Sequence, residues 1–338
     1  MQWYFRSYLN AVVGVAALLL SASGARAETV RLMLDYALQG QQSPFVLAQE
    51  GGYFARAGVD VQVDRGYGSA DAITKVASGV YQMAFADLGA MLQFDGNQGG
   101  DKVINVFQVY DVAPMVILSL ASSQIRTPAD LAGKKIASPP GASSRVMFPL
   151  LAAANHLDPA SVEWLNVTPQ LREALLAKRQ TDATTALITD LAGLDRLGLS
   201  ESEISVMRYG DFGVRLYGHG ILTTPEFAAG HPETVRRVLK AMAAALKDAI
   251  ADPELAIAAE KRREPLIEDA VERKRLGLVI DNAIVTDHVR QAGLSAVEPE
   301  RMRQTIAMVA KVFGVPAPDL QKIYRPEFLP PRDELMLK

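Results

Sequence analysis

The sequence VDVQVDRGYGSADAITKVASGVYQMAFAD, residues 59–87, contains a complete strand–helix–strand unit. Valine occupies every second position of its first five residues, which predicts a strand with one buried face. The glycine turn Gly66–Ser69 leads into a helix whose apolar residues recur at helical spacing. A second short strand, Met83–Ala86, then ends at Asp87. Strand, helix and strand in this order are typical of an α/β sheet with parallel pairings.

The same order of elements continues on both sides of this unit. Upstream, Thr29–Leu34 alternates like a strand, and Ser43 with Pro44 supplies a helix cap followed by a first-turn proline. Downstream, Val103–Val109 and Met115–Leu120 are further predicted strands. We therefore expect an α/β sheet with parallel pairings.

The pattern restarts after residue 120. A glycine turn at Gly141–Ser144 opens another helix, and four more short strands are predicted, at Lys135–Ala137, Val162–Val167, Ala183–Ile188 and Ile204–Tyr209. Residues 121–218 thus form a second α/β unit of ordinary domain size. It is inserted into a first unit that comprises residues 28–120 and 219–338.

Two α/β units joined by two extended crossings predict a two-lobe clamshell, with the second lobe inserted in the first. We expect the crossings near Met115–Ser122 and Leu216–Leu222. A ligand of such a protein lies between the lobes, against the carboxyl ends of strands, and hinge motion closes the lobes over it.

The first 27 residues have the pattern of a cleavable export signal. Arg6 precedes a short apolar run, and Ala25-Arg26-Ala27 fits the small-x-small cleavage rule, so we predict Glu28 as the mature start. The apolar run is near half the length that a membrane span needs. The mature protein is therefore expected to be soluble in the periplasm.

The composition excludes several classes of function. The 338-residue chain has 35 Lys and Arg, 38 Asp and Glu and no Cys. Its mild acidity argues against nucleic-acid binding. The lack of cysteine removes disulfides, thiolate nucleophiles, iron–sulfur clusters and Cys-ligated zinc. The four histidines lack metal-ligand spacing, so we expect no metal. No serine-hydrolase elbow occurs, and we expect no cofactor.

Five short motifs carry a resemblance to a known family. They are Ser43–Glu50, Gly52–Val61 and Gly66–Ser69 in the first unit, and Asp130–Ile136 and Gly141–Ser144 in the second. Together they resemble the periplasmic solute-binding proteins of ABC importers, in the nitrate/sulfonate/taurine group related to the NMT1/THI5-like pyrimidine-precursor binders. The resemblance implies a type II-like periplasmic-binding-protein fold. It also implies a small-molecule solute and an inner-membrane ABC permease with its ATPase as partners, and we expect a monomer.

Candidate ligand contacts follow from the ends of strands and helices. The first-lobe candidates are Asp35, Tyr36, Ser43, Tyr67, Gly68, Ser69 and Asp87, and the second-lobe and crossing candidates are Gly141, Ala142, Ser143, Tyr209, Asp211 and Tyr217. Free N–H groups at the two glycine turns favour an anion or a polar acceptor. Tyrosines offer a flat apolar face with a hydroxyl, which suits a ring. Asp87 is equally well explained as a helix N-cap, and a lone histidine such as His219 is more often structural.

Three functions remain open on the sequence alone. A receptor that delivers a solute to a permease is favoured over an enzyme on the same fold, because the enzymes that resemble this family rely on cysteine. A sensor that presents solute to a membrane kinase is the third. Few cations are found among the candidates, so a ring-bearing or mixed polar organic ligand is favoured over nitrate. The mixed-charge stretches Glu260–Glu264 and Glu272–Arg275 are predicted to be solvated helix faces.

Overall fold

A computed structural model describes residues 29–337 of the chain. The predicted export signal and the predicted mature start at Glu28 lie outside the described residues. The first sheet contains β1 (Thr29–Met33), β2 (Asp60–Asp64), β3 (Met83–Asp87), β4 (Ile104–Gln108) and β10 (His219–Thr223). The second contains β5 (Met115–Leu120), β6 (Lys135–Ser138), β7 (Glu163–Asn166), β8 (Ala183–Leu187) and β9 (Ile204–Arg208).

The two sheets repeat one topology. Their strand orders are β2-β1-β3-β10-β4 and β7-β6-β8-β5-β9. Parallel pairing is found for β1 with β2 and β3, and for β6 with β7 and β8. The expected parallel pairings are therefore confirmed. In addition, β10 and β5 run antiparallel to both of their neighbours, because each arrives directly from the other lobe.

The strand Met115–Leu120 belongs to the second lobe. It pairs with β8 and β9 of the second sheet. The domain boundary predicted at residue 120 places this strand in the first lobe instead. The first crossing is therefore residues 109–114 and not Met115–Ser122, while residues 209–218 form the second crossing into β10. An apolar strand pattern indicates burial on both faces but carries no information about which sheet supplies the partners.

Helices cover both sheets. Those of the first lobe before the crossing are α1 (Ser43–Glu50), α2 (Tyr53–Arg56), α3 (Ser69–Ala77) and α4 (Leu88–Asn97). Those of the second lobe are α5 (Ser143–Val146), α6 (Phe148–Ala154) and α7 (Arg172–Ala177). After β10 come α8 (Pro225–Gly230), α9 (Pro232–Ala251), α10 (Pro253–Arg263), α11 (Asp269–Val279), α12 (Asp287–Ala292), α13 (Pro299–Phe313), α14 (Leu320–Ile323) and α15 (Arg332–Leu335).

The C-terminal helices connect the two lobes. The apolar stripe of α9, with Val235 and Leu239 fully buried, packs against α1 and α2 of the first lobe. In contrast, α11 packs both on the first-lobe turn Gly40–Gln42 and on the second-lobe turn Ile188–Gly193, and α13 contacts α4 and α6. The helices α11 and α13, together with the two crossings, therefore hold the lobes around one cleft. No helix within residues 29–337 is long and apolar enough to cross a bilayer.

Candidate functional site

Two adjoining cavities between the lobes form what we call the cleft. The inner cavity has a volume of about 30 Å³ and the outer one about 610 Å³. They share three lining residues, Tyr36, Arg172 and Asp190. The outer volume lies within the range of roughly 300 to 1,000 Å³ typical of small-molecule sites, whereas the inner one is about the space of a single water.

The inner cavity lies where the two glycine turns face each other. Its lining residues are Asp35, Tyr36, Gln41, Gly68 and Ser69 from the first lobe, and Ala142, Ser143, Ser144, Arg172, Leu187 and Asp190 from the second. The turns touch, because the Ala70 N–H donates to the Gly141 carbonyl at 3.4 Å. Gly68 has φ +131°, and a Cβ there would lie 2.6 Å from the Gly141 oxygen. Glycine at position 68 therefore permits this closed contact.

Asp35 supplies the negative charge at the first-lobe wall. It follows β1, and its side chain is almost fully buried at 5% exposure. Gln42 Nε2 donates to one carboxylate oxygen at 3.0 Å, and His219 Nε2 lies 3.2 Å from the other. These two partners fix the carboxylate at the edge of the inner cavity, where it can accept from an N–H or O–H of a ligand.

His219 lies behind Asp35 at the start of β10 and is fully buried. Burial alone would lower the pKa of its imidazole, but the hydrogen bond and charge of Asp35, with the charge of Asp87, outweigh it and raise that pKa. The rings of Phe85 and Tyr110 each lie 5.2 Å from the imidazole. The pKa of Tyr110 is raised well above its usual range by burial and by the Asp35 charge.

Asp87 is a helix cap in this structure. One carboxylate oxygen accepts from the Ala90 N–H at 2.8 Å at the start of α4, and the side chain is fully buried. The other oxygen has no hydrogen-bond partner in the described part of the chain and lies 3.9 Å from His219 Nδ1. Desolvation raises the pKa of Asp87. Asp87 therefore does not line the cleft, but its charge reaches the cleft through His219.

Arg172 is the buried cation of the second-lobe wall. Its guanidinium contacts Asp190 and Glu173, each at 2.6 Å, and its side chain is only 4% exposed. Burial would lower the pKa of Arg172, but the two carboxylates outweigh it and raise that pKa. Desolvation raises the pKa of Glu173. Since two acids surround one cation, this cluster offers no free positive charge to a ligand.

Positively and negatively charged side chains also line the outer cavity in nearly equal numbers. It is lined by the four arginines Arg65, Arg172, Arg196 and Arg275, and by the five acids Glu173, Asp190, Glu264, Glu268 and Glu272. Arg196 pairs with Glu268 across the lobes at 3.0 Å, and Arg275 pairs with Glu272 at 2.8 Å. Arg65 instead lies over the Tyr67 ring at 5.4 Å. The wall is thus mixed, with a slight excess of carboxylate.

The mixed-charge stretches of the C-terminal region are not solvated faces throughout. Glu260, Glu272 and Arg275 are buried, which overturns that prediction. Glu272 accepts from the Gly40 N–H at 2.7 Å and so fastens α11 to the loop that carries Tyr36. Burial together with the nearby Glu272 charge raises the pKa of Glu260 to about 8. Charge spacing alone does not reveal this, because the buried acids lie between α10, α11 and the Gly40 turn.

The structure brings six of the predicted contacts to the cleft. They are Asp35, Tyr36, Gly68, Ser69, Ala142 and Ser143. Gly141 adjoins them through its carbonyl, which accepts from Ala70 of the opposite lobe. Their role in ligand binding stays a prediction. Among residues 29–337, Tyr36 is the only tyrosine that lines either cavity, and its buried hydroxyl has no hydrogen-bond partner in that part of the chain.

The remaining predicted contacts lie elsewhere. The Tyr67 side chain is 57% exposed and points between Arg65 and Lys75, outside the cleft. Ser43 is buried and its hydroxyl donates to the Gly40 carbonyl at 2.6 Å. The expectation that these residues face the cleft is therefore wrong. The Tyr67 ring lies beside two cations at the surface, and the Ser43 hydroxyl, on the first residue of α1, bonds to the preceding turn.

The three crossing residues also turn away from the cleft. The Tyr209 hydroxyl donates to the Ser144 carbonyl at 2.6 Å and so supports the second-lobe turn from behind. The Tyr217 hydroxyl accepts from the Glu298 N–H at 2.9 Å. Asp211 lines a separate groove of about 380 Å³ along the two crossings. Aromatic residues at a crossing thus pack the hinge here and do not form a platform for a ring.

Sequence reasoning missed several residues of the cleft wall. Arg172, Asp190, Gln41 and Ser144 line the inner cavity, and His219 holds Asp35. Arg172 and Asp190 are 18 positions apart and meet only through the second sheet, so no local motif marks them. For His219 the sequence does offer a signal, because this histidine lies in the motif Tyr-Gly-His-Gly at the second crossing.

Ser69, His219 and Asp35 are close together but do not form a nucleophile relay. The Ser69 hydroxyl lies 3.4 Å from His219 Nε2, and Asp35 contacts the same nitrogen. In a catalytic triad the serine and the acid engage opposite ring nitrogens, so that one accepts while the other donates. The hydroxyl also accepts from the Asp87 N–H at 3.1 Å, which gives it a structural role.

A family model described as NMT1/THI5 like matches residues 39–256, which is more than half of the chain. The chain belongs to this family. The curated riboflavin-binding protein RibY from Chloroflexus aurantiacus is 26% identical over 233 residues, which cover 67% of this chain. The chain spans 64% of the length of that relative. The family assignment confirms the resemblance drawn from the glycine turns and the Asp130–Ile136 motif.

Solved structures of solute-binding proteins share the fold of this NMT1/THI5-like chain. The alkanesulfonate-binding protein SsuA from Xanthomonas axonopodis pv. citri, bound to MOPS, has a TM-score of 0.65 at 18% identity. It covers 90% of this chain and 99% of its own. The nitrate-binding protein NrtA from Synechocystis has a TM-score of 0.66 at 12% identity, covering 90% and 87%. The predicted two-lobe periplasmic-binding-protein fold is confirmed, and at these identities the likeness concerns the fold alone.

Proposed function

We propose that this protein is the periplasmic binding component of an ABC import system for an uncharged, ring-bearing organic solute. The solute is captured between the lobes and delivered to an inner-membrane permease with its ATPase. A solute-binding role is supported by the family and the fold, and export by the predicted signal over residues 1–27. We propose that the protein acts as a monomer.

The charge of the cleft wall is the observation that carries the choice of ligand. The buried cation Arg172 is bonded to both Asp190 and Glu173, while Asp35 faces the inner cavity. A nitrate or sulfonate entering this cleft would meet carboxylates and, among the lining residues that the structure describes, no unpaired buried cation. Placing an anion there would cost desolvation energy without a compensating partner. A neutral ligand with N–H or O–H donors avoids that cost and satisfies Asp35.

The size and shape of the cleft support a ring. The outer cavity of about 610 Å³ can take a heteroaromatic ligand of moderate size. The half-buried Tyr36 side chain lies at the boundary of the two cavities and lines both, so its ring is placed to stack on such a ring. Flavins and pyrimidines carry ring N–H donors and few or no charges. Similarity to a riboflavin-binding protein supports the same ligand class.

Binding without turnover is proposed over catalysis on this fold. The chain has no cysteine, and the Ser69–His219–Asp35 contact lacks the geometry of a relay. No group of three or more His, Asp and Glu side chains in residues 29–337 could hold a metal ion.

A thermal-shift panel tests the proposed ligand class. Residues 28–338 are mixed with riboflavin, a hydroxymethyl-pyrimidine, ethanesulfonate and nitrate, each in large excess. A ligand that binds only the folded protein raises the midpoint temperature of unfolding. At 100 times its dissociation constant, it adds about 2.7 kcal/mol to the free energy of unfolding. We expect a rise with a ring compound and none with the anions. A rise with ethanesulfonate or nitrate alone would contradict the proposal. Recovery of a chemically altered ring compound after incubation would favour an enzyme.

A further inference from the structure

We propose that His219 is the positioning residue of this site, which orients the Asp35 carboxylate toward the solute and ties it to both hinge crossings. This inference rests on the proposed function, because it concerns how the same cleft captures its ligand. Three independent features of His219 support it: its side-chain contacts, its backbone contacts and its burial.

The imidazole of His219 lies between two carboxylates. Nε2 is 3.2 Å from Asp35 and Nδ1 is 3.9 Å from Asp87, on opposite sides of the ring. Within residues 29–337, neither Nδ1 nor the facing Asp87 oxygen has a hydrogen-bond partner, and their 3.9 Å separation is that of an ion pair without a hydrogen bond. A doubly protonated ring can direct one N–H at each acid, whereas a neutral ring can serve only one. The arrangement is therefore suited to an imidazolium with two acids, which leaves one net negative charge next to the cleft.

The backbone of His219 joins the two hinge crossings. Its carbonyl accepts from the Val109 and Tyr110 N–H groups at 3.1 and 2.9 Å, where the first crossing begins. The preceding Gly218 N–H donates to the Tyr110 carbonyl at 2.9 Å, where the second crossing ends. The residue that holds the ligand-facing carboxylate is thus also the residue at which both crossings meet. Movement of Asp35 on binding is transmitted directly to the hinge.

The surroundings of the imidazole leave few other groups to control its charge. The titratable groups that face it are Asp35 after β1, Asp87 on β3 and Tyr110 in the first crossing. Ser69 of α3 and Phe85 of β3 complete the contacts and do not titrate in this range. Asp35 and Asp87 both favour the protonated ring, and burial is the one factor that opposes it.

Proton linkage of solute binding is the functional test. With riboflavin as the probe, fluorescence titration gives the dissociation constant from pH 6 to 9. We expect affinity to fall as pH rises past the imidazole pKa, by at most tenfold per pH unit for one linked proton. His219→Gln keeps a donor at the Nε2 position without the charge, so it should bind more weakly at pH 6 and lose the alkaline fall. The exposed His156→Gln is the matched control and should keep the wild-type profile. An alkaline fall that persists in His219→Gln would overturn the proposal.

A ligand-free measurement separates this inference from the proposed function. NMR titration of the four histidine Cε1–H signals, assigned with His219→Gln, gives the pKa of His219 directly. We expect a pKa above the ordinary histidine value of about 6.5, and a clear decrease in Asp35→Asn. If riboflavin fails to bind while this pairing is found, the ligand class is wrong and the positioning role stands. A pKa at or below the ordinary value, or one that Asp35→Asn leaves unchanged, would refute the positioning role whatever the ligand.

Discussion

Replacing Glu260 by glutamine should make the protein more stable at alkaline pH. Glu260 lies on α10 and is fully buried, and neither of its carboxylate oxygens has a hydrogen-bond partner among the residues that the structure describes. Burial, together with the charge of Glu272, raises its pKa from 4.5 to about 8. The folded state thus holds a proton that the unfolded chain has already released. Stability is therefore lost as pH rises from the unfolded pKa toward the folded one, and levels off above it.

The size of this effect follows from the shift in pKa. At about 1.4 kcal/mol per pKa unit, the ionised Glu260 costs about 5 kcal/mol at full ionisation. Between pH 5 and pH 8 the loss amounts to about 3 to 4 kcal/mol. Glu260→Gln keeps the shape of the protonated acid and removes the charge. The variant should match the wild type within about 1 kcal/mol at pH 5 and exceed it by several kcal/mol at pH 8.

Urea denaturation of residues 28–338 at pH 5, 6.5 and 8 measures the effect. The matched control is Glu254→Gln on the same helix, where an exposed acid pairs with Arg273 and its pKa is lowered. That control should change stability by less than about 0.5 kcal/mol, with no gain at pH 8. Parallel pH profiles for the wild type and Glu260→Gln would refute the assignment of a buried, protonated acid at this position.

Four further substitutions test the cleft and its surroundings. Gly68→Ala places a Cβ 2.6 Å from the Gly141 carbonyl oxygen at a φ of +131°, so calorimetry should show at least tenfold weaker solute binding. In the control Gly141→Ala the new Cβ lies 3.7 Å from its nearest neighbour, so the dissociation constant should stay within about twofold of the wild type. Equal effects of the two substitutions would contradict the closed contact. Tyr67→Ala should leave the dissociation constant unchanged, because the side chain is exposed outside the cleft, and a loss of binding would place it in the site. Arg172→Met leaves buried carboxylates without their cation and should lower the free energy of unfolding by about 3 to 5 kcal/mol in urea denaturation; a loss below 1 kcal/mol would show that the ion pairs are not buried.

The alternation of apolar residues was sufficient to predict the strand Asp60–Asp64. This strand buries Val61 and Val63 and exposes Asp60 and Gln62, which is the pattern that its sequence alternation indicates. Strand pairing could not be predicted in the same way. Met115–Leu120 is apolar except for Ser119 and is buried on both faces, so its sequence fits either sheet.

The candidate site was predictable where it depends on local backbone. The turns at Gly68–Ser69 and Gly141–Ser144 are recognisable because glycine before a helix start marks a close approach of backbone. The charged part of the site could not be predicted from the sequence. Arg172 meets Asp190 and His219 meets Asp35 only after the sheets have formed, and no spacing in the sequence encodes those contacts.

The measurement that tests the account most directly is calorimetric titration of residues 28–338 with riboflavin and, in parallel, with ethanesulfonate at pH 7. The account predicts saturable binding of the uncharged ring compound, weakened at least tenfold in Asp35→Asn, and no heat of binding with the sulfonate. Saturable binding of ethanesulfonate, retained in Asp35→Asn and with riboflavin inert, would contradict the proposal that this cleft selects uncharged donors over anions.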